Sequence, residues 1–219
     1  MSEMESDQFL RSTTFVDSES EIVQNLSRYF MKKYHNKIDL SIAYFYYVRD
    51  SIKYSITIDT NSIDIFKAST CLNSRKSFCI PKASALSALS RASGIPARLH
   101  FVDLKNRRIP DHLFKALGSD MFYYHCYAEL FLNDKWIKAT PSFDLHTCLR
   151  HNLPPVEFNG VDDGLFASHD ADGNPYCEYV NDRGIYVDVP VETVLKGLNK
   201  YYGHLEVPFT KKFNEKVSS

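Results

Sequence analysis

Two residues in this sequence have side chains that together support nucleophilic catalysis, Cys79 and His125. Cys79 opens the stretch SFCIPKASALSALSRASGIPAR (residues 77–98), directly ahead of a predicted helix. A helix N-terminus offers free N–H groups and partial positive charge, which lower the pKa of a thiol and can hold an oxyanion. The competing interpretation is a structural cysteine at the helix start, since free cysteines are commonly buried.

The residues after Cys79 predict a helix over about 79–93. Pro81 falls in the first turn, where its missing N–H costs nothing. Gly94 suits the position just after a helix, and Pro96 directs the chain out of helical conformation. The run ARLHFVDL that follows is typical of a strand.

A cysteine nucleophile needs a base, and His125 is the candidate. It stands in the aromatic run FYYHCYAELFL (122–132), which Asn133-Asp134 separates from KWIKAT (135–140). Two such runs joined by two turn residues predict a β-hairpin. A histidine in this setting is either a satisfied core residue or a positioned base.

The hairpin limits the choice of a third residue that could orient the imidazole. If the runs pair directly across the turn, Thr140 and Asp144 lie on the face of His125 as its diagonal neighbours. Either side chain fits the third position of a Cys-His-X arrangement. Pro141 counts against Asp144, because a proline tends to end strand pairing. The sequence leaves both residues as alternatives.

The segments SFCIPKASALSALSRASGIPAR and YYHCYAELFLNDKWIKATP resemble the core of the transglutaminase-like superfamily. The resemblance covers roughly residues 38–190, and the tail segments KATPSFD and EYVNDRGIYVDVP resemble a bacterial subgroup of that family. It implies an α+β fold with a papain-like core, in which the helix bearing the nucleophilic cysteine packs on an antiparallel sheet that carries the histidine. N-terminal helices precede this core.

The same resemblance implies roles for individual residues. Cys79 takes the position of the nucleophile and His125 that of the base. The family's aspartate is expected at the position of Thr140, where this chain departs from the pattern. A threonine hydroxyl can orient a ring, but it cannot stabilise an imidazolium as a carboxylate does.

The rest of the chain predicts one domain with a short appendage. Residues 1–16 are expected to form a flexible arm and residues 17–210 a single domain. Its core spans about 38–145, and a loop-rich extension follows to 210. Further helices are predicted over 17–35, 39–53 and 190–202, and irregular segments over 54–76 and 104–120.

Composition limits the classes of binding partner and the cellular compartment that we expect for this protein. The chain has 219 residues and a net charge of −1, with no basic patch in the sequence, so we expect neither a nucleic-acid nor a membrane partner. The five cysteines are irregularly spaced and form no CxxC pair. We therefore expect no disulfide framework, no metal site and no cofactor. The acidic start lacks the apolar region of a signal peptide, which predicts a cytoplasmic protein.

Three functions are compatible with these residues. The first is a cysteine-dependent acyl-transfer enzyme that acts on peptide or protein amides by hydrolysis or transamidation. The second is a non-catalytic binding module, suggested by Thr140 in place of the family's carboxylate. A redox-sensing thiol at Cys79 is the third. The ionisation of Cys79 distinguishes the catalytic thiol from a structural one.

Overall fold

A computed structural model of the chain describes residues 7–56, 62–109, 114–115 and 117–202. The helices and strands in chain order are α1 (Glu21–Met31), α2 (Lys37–Ser51), β1 (Lys53–Tyr54), a 3-10 helix (Ile63–Phe66), α3 (Ala68–Asn73), β2 (Lys76–Ser77), α4 (Cys79–Ala92), β3 (Ala97–Asn106), β4 (Met121–Leu132), β5 (Lys135–Ala139), α5 (Leu145–His151), β6 (Cys177–Tyr186) and α6 (Val191–Tyr202). Within the described residues, every helix is too short or too polar to cross a lipid bilayer.

The main sheet is antiparallel, with strand order β5-β4-β3-β6 among the residues described. β4 and β5 form the predicted hairpin, paired from Ala128–Ala139 to Leu132–Lys135. Its two turn residues, Asn133 and Asp134, have positive φ, as a tight hairpin requires. The predicted α+β fold is confirmed, with helices packed against one antiparallel sheet.

Helix α4 forms the centre of the core and packs against β3, β4 and the helices α1, α2 and α3. Every residue from Ile80 to Arg91 is buried, so the helix has no solvent-exposed face along this length. The buried hydroxyls of Ser84 and Ser90 donate to carbonyls of their own helix, which satisfies them without a partner element. Gly94, at φ +74°, ends the helix as predicted.

Lys82 fixes the first turn of α4 against the end of α2. The side chain is fully buried, and its Nζ donates to the carbonyls of Arg49 (2.9 Å) and Ile52 (2.5 Å). Burial disfavours the charged form and lowers the pKa of Lys82 to about 8. The ammonium group therefore caps α2 and positions the start of the helix that begins at Cys79.

A polar cluster, buried at His100 and Glu129 and exposed at Asp182, joins the strands β4, β3 and β6. His100 on β3 contacts Glu129 on β4 (Nδ1 to Oε1, 2.7 Å) and Asp182 on β6 (Nε2 to Oδ1, 2.9 Å). Arg98 Nε donates to the second oxygen of Glu129 at 2.6 Å. Burial opposes protonation of His100, but the bonds to both carboxylates outweigh it and raise its pKa.

Two predictions about irregular segments are wrong in the described residues. Residues 7–16 are not a flexible arm, because Phe9, Phe15 and Val16 are buried and the Phe9 ring packs edge-on against Trp136 at 5.1 Å. The stretch 62–76 contains a 3-10 helix and α3 rather than irregular chain. Short-range propensity missed both, since long-range burial of aromatic side chains holds these segments in place. Residues 1–6, 57–61, 110–113, 116 and 203–210 of the predicted segments lie outside the described residues.

Candidate active site

Cys79 is the first residue of α4, and the preceding residue, Phe78, is extended. Cys79 as a residue is only partly buried, but desolvation of its thiol raises the pKa to about 11. Three backbone N–H groups, those of Cys126, Ile80 and Cys79 itself, oppose this effect because they hydrogen-bond the sulfur. The helix start therefore supplies the donors that the sequence predicted, but desolvation outweighs them in this conformation.

The pocket at Cys79 is apolar and small, with a volume of about 120 Å³. Typical small-molecule sites measure about 300–1,000 Å³, so this pocket is too small for a peptide in its present shape. Its wall comes from β1, the start of β4, and α6 at the end of the described chain. The lining side chains include Tyr54, Phe122, Tyr123, Leu198 and Tyr202.

Helix α6 covers this pocket through close aromatic packing on β4. A Cβ placed on Gly197 would lie 1.9 Å from Cε2 of Tyr124, so only glycine allows this approach. Four residues further on, Tyr201 stacks on Tyr123 with ring centroids 3.6 Å apart. The Tyr123 N–H donates to the hydroxyl of Tyr202 at 2.8 Å. These contacts place Tyr202 in the wall of the thiol pocket.

His125 is buried, and its Nε2 has no hydrogen-bond partner among the described residues. The imidazole packs against the ring of Phe166 at 5.4 Å. Burial lowers the pKa of His125 to about 3, which keeps the ring neutral. Buried ring nitrogens are normally paired, so an unpaired one calls for an explanation such as a catalytic role.

The backbone beside His125 is irregular. Tyr124 has a positive φ of 58°, and its N–H donates to Asp103 at 3.1 Å instead of continuing the strand ladder. The pairing of β3 with β4 shifts register at this point, between Val102 and Leu104. Bulges and positive-φ residues other than glycine concentrate beside functional sites, where they redirect a side chain.

Cys79 and His125 are brought to adjoining positions, but not into direct contact. One of the three N–H groups that hydrogen-bond the Cys79 sulfur belongs to Cys126, the residue after His125. No hydrogen bond joins the sulfur to the imidazole among the residues described. By register His125 stands opposite Val102. In this state both the thiol and the imidazole are neutral.

Thr140 and Asp144, the alternative third residues, take different structural positions. Strand pairing ends at Ala139, as the following Pro141 suggested, and Thr140 is fully buried one residue further on. Its N–H donates to the carbonyl of Gly164 at 2.9 Å. Neither Thr140 nor Asp144 hydrogen-bonds His125 in the described part of the chain. The identity of a third catalytic residue remains a prediction.

Asp144 caps the N-terminus of α5. Its oxygens accept from the N–H of Thr147 (3.0 Å), the hydroxyl of Thr147 (2.7 Å) and the N–H of Tyr54 (2.7 Å). Burial alone would raise the pKa of Asp144, but these hydrogen bonds outweigh it and lower the pKa. The carboxylate thereby joins α5 to β1, whose Tyr54 lines the thiol pocket.

Sequence reasoning expected the loops 54–76 and 104–120 to shape the cleft but missed the wall that α6 contributes. Tyr54 precedes the nucleophile, whereas Leu198 and Tyr202 follow it by more than a hundred residues. The helix that carries them was predicted, but its position over the thiol was not. The described residues contain no group of three or more His, Cys, Asp or Glu arranged to hold a metal ion.

Comparison with known proteins identifies the family. Residues 24–141, more than half of the chain, match the profile of the transglutaminase-like superfamily. The chain therefore belongs to the transglutaminase-like superfamily, whose papain-like core was predicted from the segments around Cys79 and His125. No curated protein gave a match.

Solved structures with related folds have low sequence identity to this chain. A proposed cysteine protease from Cytophaga hutchinsonii is 19% identical, with a TM-score of 0.49, over 83% of this chain and 54% of that one. The periplasmic domain of TgpA from Pseudomonas aeruginosa is 17% identical, with a TM-score of 0.49, over 64% of this chain and 48% of that one. The chain thus spans about half the length of these two proteins.

Proposed function

We propose that this protein is a cysteine-dependent acyl-transfer enzyme that acts on the amide carbonyl of a peptide or protein. The imidazole of His125 takes the proton of the Cys79 thiol, and the sulfur attacks the carbonyl carbon. The N–H groups of Cys79 and Cys126 are the donors available to the resulting oxyanion. The amine leaves with the proton from His125, and an acyl-enzyme on Cys79 remains.

The observation that carries this proposal is a buried imidazole with an unpaired Nε2, one residue from Cys126, whose backbone N–H hydrogen-bonds the Cys79 sulfur. An unpaired buried ring nitrogen lowers stability, because burial removes its hydrogen bond to water. A catalytic base needs that acceptor free to receive a proton. A purely structural histidine would be expected to have a partner.

The neutral thiol of Cys79 and the neutral imidazole of His125 are consistent with an enzyme whose active site is closed to substrate. Burial holds the pKa of Cys79 at about 11 and that of His125 at about 3, so proton transfer between them is unfavourable as they stand. The pocket is also too small for a peptide. Under the proposal, α6 moves when substrate enters, water and the polar amide reach the thiol, and the thiolate–imidazolium pair becomes accessible.

Acylation of Cys79 tests the proposal directly. The wild-type protein is incubated with a peptide p-nitrophenyl ester, and the adduct is located by peptide mass spectrometry. We expect an acyl group on Cys79, with its rate of formation reduced about hundredfold or more in His125→Gln. Cys177→Ala, which removes another free thiol, is the matched control and should react like the wild type.

The outcome that overturns the proposal is specific. If neither the wild type nor Gly197→Ala forms an adduct on Cys79, the protein is not an acyl-transfer enzyme of this kind. An adduct that forms equally fast in His125→Gln would remove His125 from the role of base. Added primary amine that increases turnover of the adduct indicates transamidation; otherwise water is the acceptor.

A second candidate function is a peptide-binding module without catalysis. Thr140 in place of the family's carboxylate favours it, because a buried threonine cannot stabilise an imidazolium. Saturable peptide binding without any adduct on Cys79 would identify this function. For either function we propose the cytoplasm as the compartment, since all five cysteines are free thiols.

A further inference from the structure

A second, larger groove opens beside the thiol pocket. Its volume is about 530 Å³, enough for a short peptide segment. Three residues, Tyr54, Ile56 and Phe122, line both cavities. A chain that lies in the groove can therefore extend past these side chains to Cys79.

The groove is cationic, although the protein as a whole is not. Its described lining includes Lys53, Lys76, Arg108, Arg150, His146 and His151, and no aspartate or glutamate among the residues that the structure describes. The chain carries 26 basic and 27 acidic residues, so an even distribution would place carboxylates here too. A concave wall that carries charge of one sign attracts ligands of the opposite sign.

Most of this charge has no partner within the groove. Lys53, Lys76 and Arg150 are exposed, and none of them forms an ion pair with another described residue. Arg108 is paired with Asp170 at 3.3 Å. Asp144, the N-cap of α5, already accepts hydrogen bonds from Thr147 and Tyr54 on its oxygens.

We propose that this groove binds an acidic segment of the peptide substrate, next to the amide that Cys79 attacks. The inference rests on the proposed function, because a thiol that attacks amides takes a peptide chain. The shared walls make the groove the continuation of the thiol pocket. Aromatic and aliphatic side chains, including Phe143 and Leu153, line it between the cations and suit the apolar parts of a peptide.

Binding can be measured without catalysis in Cys79→Ala. A short peptide of alternating glutamate and alanine carries an uncharged fluorophore, and fluorescence anisotropy reports its affinity at low salt. A peptide with glutamine in place of each glutamate is the neutral probe. We expect the acidic peptide to bind more tightly, and the difference to shrink as salt screens the charges.

Variants locate the binding. Replacement of Lys53, Lys76 and Arg150 by glutamine should weaken binding of the acidic peptide about tenfold, since exposed ion pairs contribute modestly and three are lost. The same loss of three charges elsewhere is the matched control: Lys32→Gln, Lys33→Gln and Lys37→Gln, on α1 and α2 away from the groove. The control triple should bind like Cys79→Ala alone.

Each outcome gives a clear answer. Equal affinities for both peptides, or equal weakening by both triple variants, would overturn the proposal. A single-stranded oligonucleotide that binds more tightly than the acidic peptide and loses affinity in the groove variant would assign the groove to nucleic acid instead. Acylation of Cys79 is measured in a separate experiment. A negative binding result would therefore refute the groove proposal without refuting the proposed enzyme activity, and a negative acylation result would refute the activity without refuting peptide binding.

Discussion

The closed pocket leads to a quantitative prediction for the reactivity of Cys79. With the pKa raised to about 11, roughly one thiol in three thousand is ionised near pH 7.5, against roughly one in thirty at the ordinary value of 9.0. A more basic thiolate is also a better nucleophile, with a Brønsted slope of about 0.4–0.5 in thiol–disulfide exchange. The roughly hundredfold smaller thiolate fraction is offset about eightfold by this higher nucleophilicity, so we expect Cys79 to react about tenfold more slowly than an ordinary thiol.

The assay is thiol–disulfide exchange with 4,4′-dithiodipyridine, followed by absorbance over a range of pH. Subtraction of the rate in Cys79→Ala removes the other four cysteines. The rate attributed to Cys79 should rise with pH towards a midpoint near 11. His125 should contribute no acid limb above about pH 3, since burial keeps its imidazole neutral.

Displacement of α6 should reverse the effect. In Gly197→Ala the added methyl would lie 1.9 Å from the Tyr124 ring, so α6 or that ring must shift, and we expect α6 to move. Leu198 and Tyr202 then leave the pocket wall, water enters, and the pKa of Cys79 falls towards 9, with a rate at neutral pH roughly tenfold higher. Lys196→Ala, exposed on the same helix, is the control and should match the wild type.

Two results would refute this reasoning. A wild-type midpoint at or below 9 would mean that the N–H groups and His125 already outweigh desolvation in the closed protein. An unchanged profile in Gly197→Ala would mean that α6 does not control access of water to Cys79. If the variant does open the site, addition of His125→Gln shows whether the thiol then depends on the imidazole.

Three further predictions concern the supports of the site. Asp144→Ala should lower the free energy of unfolding by roughly 2–3 kcal/mol in urea titrations, because a helix cap and the partner of the Tyr54 N–H are both lost; a loss below roughly 0.5 kcal/mol would contradict the capping role. The destabilisation caused by Glu129→Gln should be larger near pH 5.5 than near pH 9. The folded state raises the pKa of His100, so the stability that protonated His100 contributes is complete below pH 6.5 and is lost as pH rises through the raised pKa. Equal destabilisation at both pH values would refute this prediction. Between about pH 8 and 10.5 the wild type should gain stability relative to Lys82→Met as pH rises. Burial lowers the pKa of Lys82 in the folded protein, so in this range the unfolded chain binds more protons than the folded one. A difference in melting temperature between the two proteins that does not change with pH would refute this prediction.

Some features of this protein could be predicted from local sequence alone. The helix that begins at Cys79, its end at Gly94, and the hairpin with its register around Asn133 all follow from local signals. Caps, turn residues and strand alternation act over a few residues and are largely independent of distant packing. The same signals located the candidate nucleophile and base.

Other features were decided by tertiary structure. Residues 7–16 look like a flexible arm in sequence, yet Phe9 and Phe15 are buried because distant residues such as Trp136 and Asp188 provide their partners. Extending the predicted hairpin beyond Thr140 placed Asp144 beside His125. In the structure the carboxylate of Asp144 instead caps a helix that short-range sequence patterns did not indicate.

The charge states of Cys79 and His125 also could not be predicted from the sequence. A helix N-terminus by itself lowers the pKa of a cysteine, so a catalytic Cys79 was expected to ionise readily, while a structural one was not. The structure gives the opposite direction, because desolvation of the sulfur outweighs the N–H groups of the helix start. Leu198 and Tyr202 of α6, from the far end of the described chain, line the pocket around that sulfur. The sequence determined which groups can react, and the folded structure determined their solvation, since desolvation depends on every segment that packs around a group.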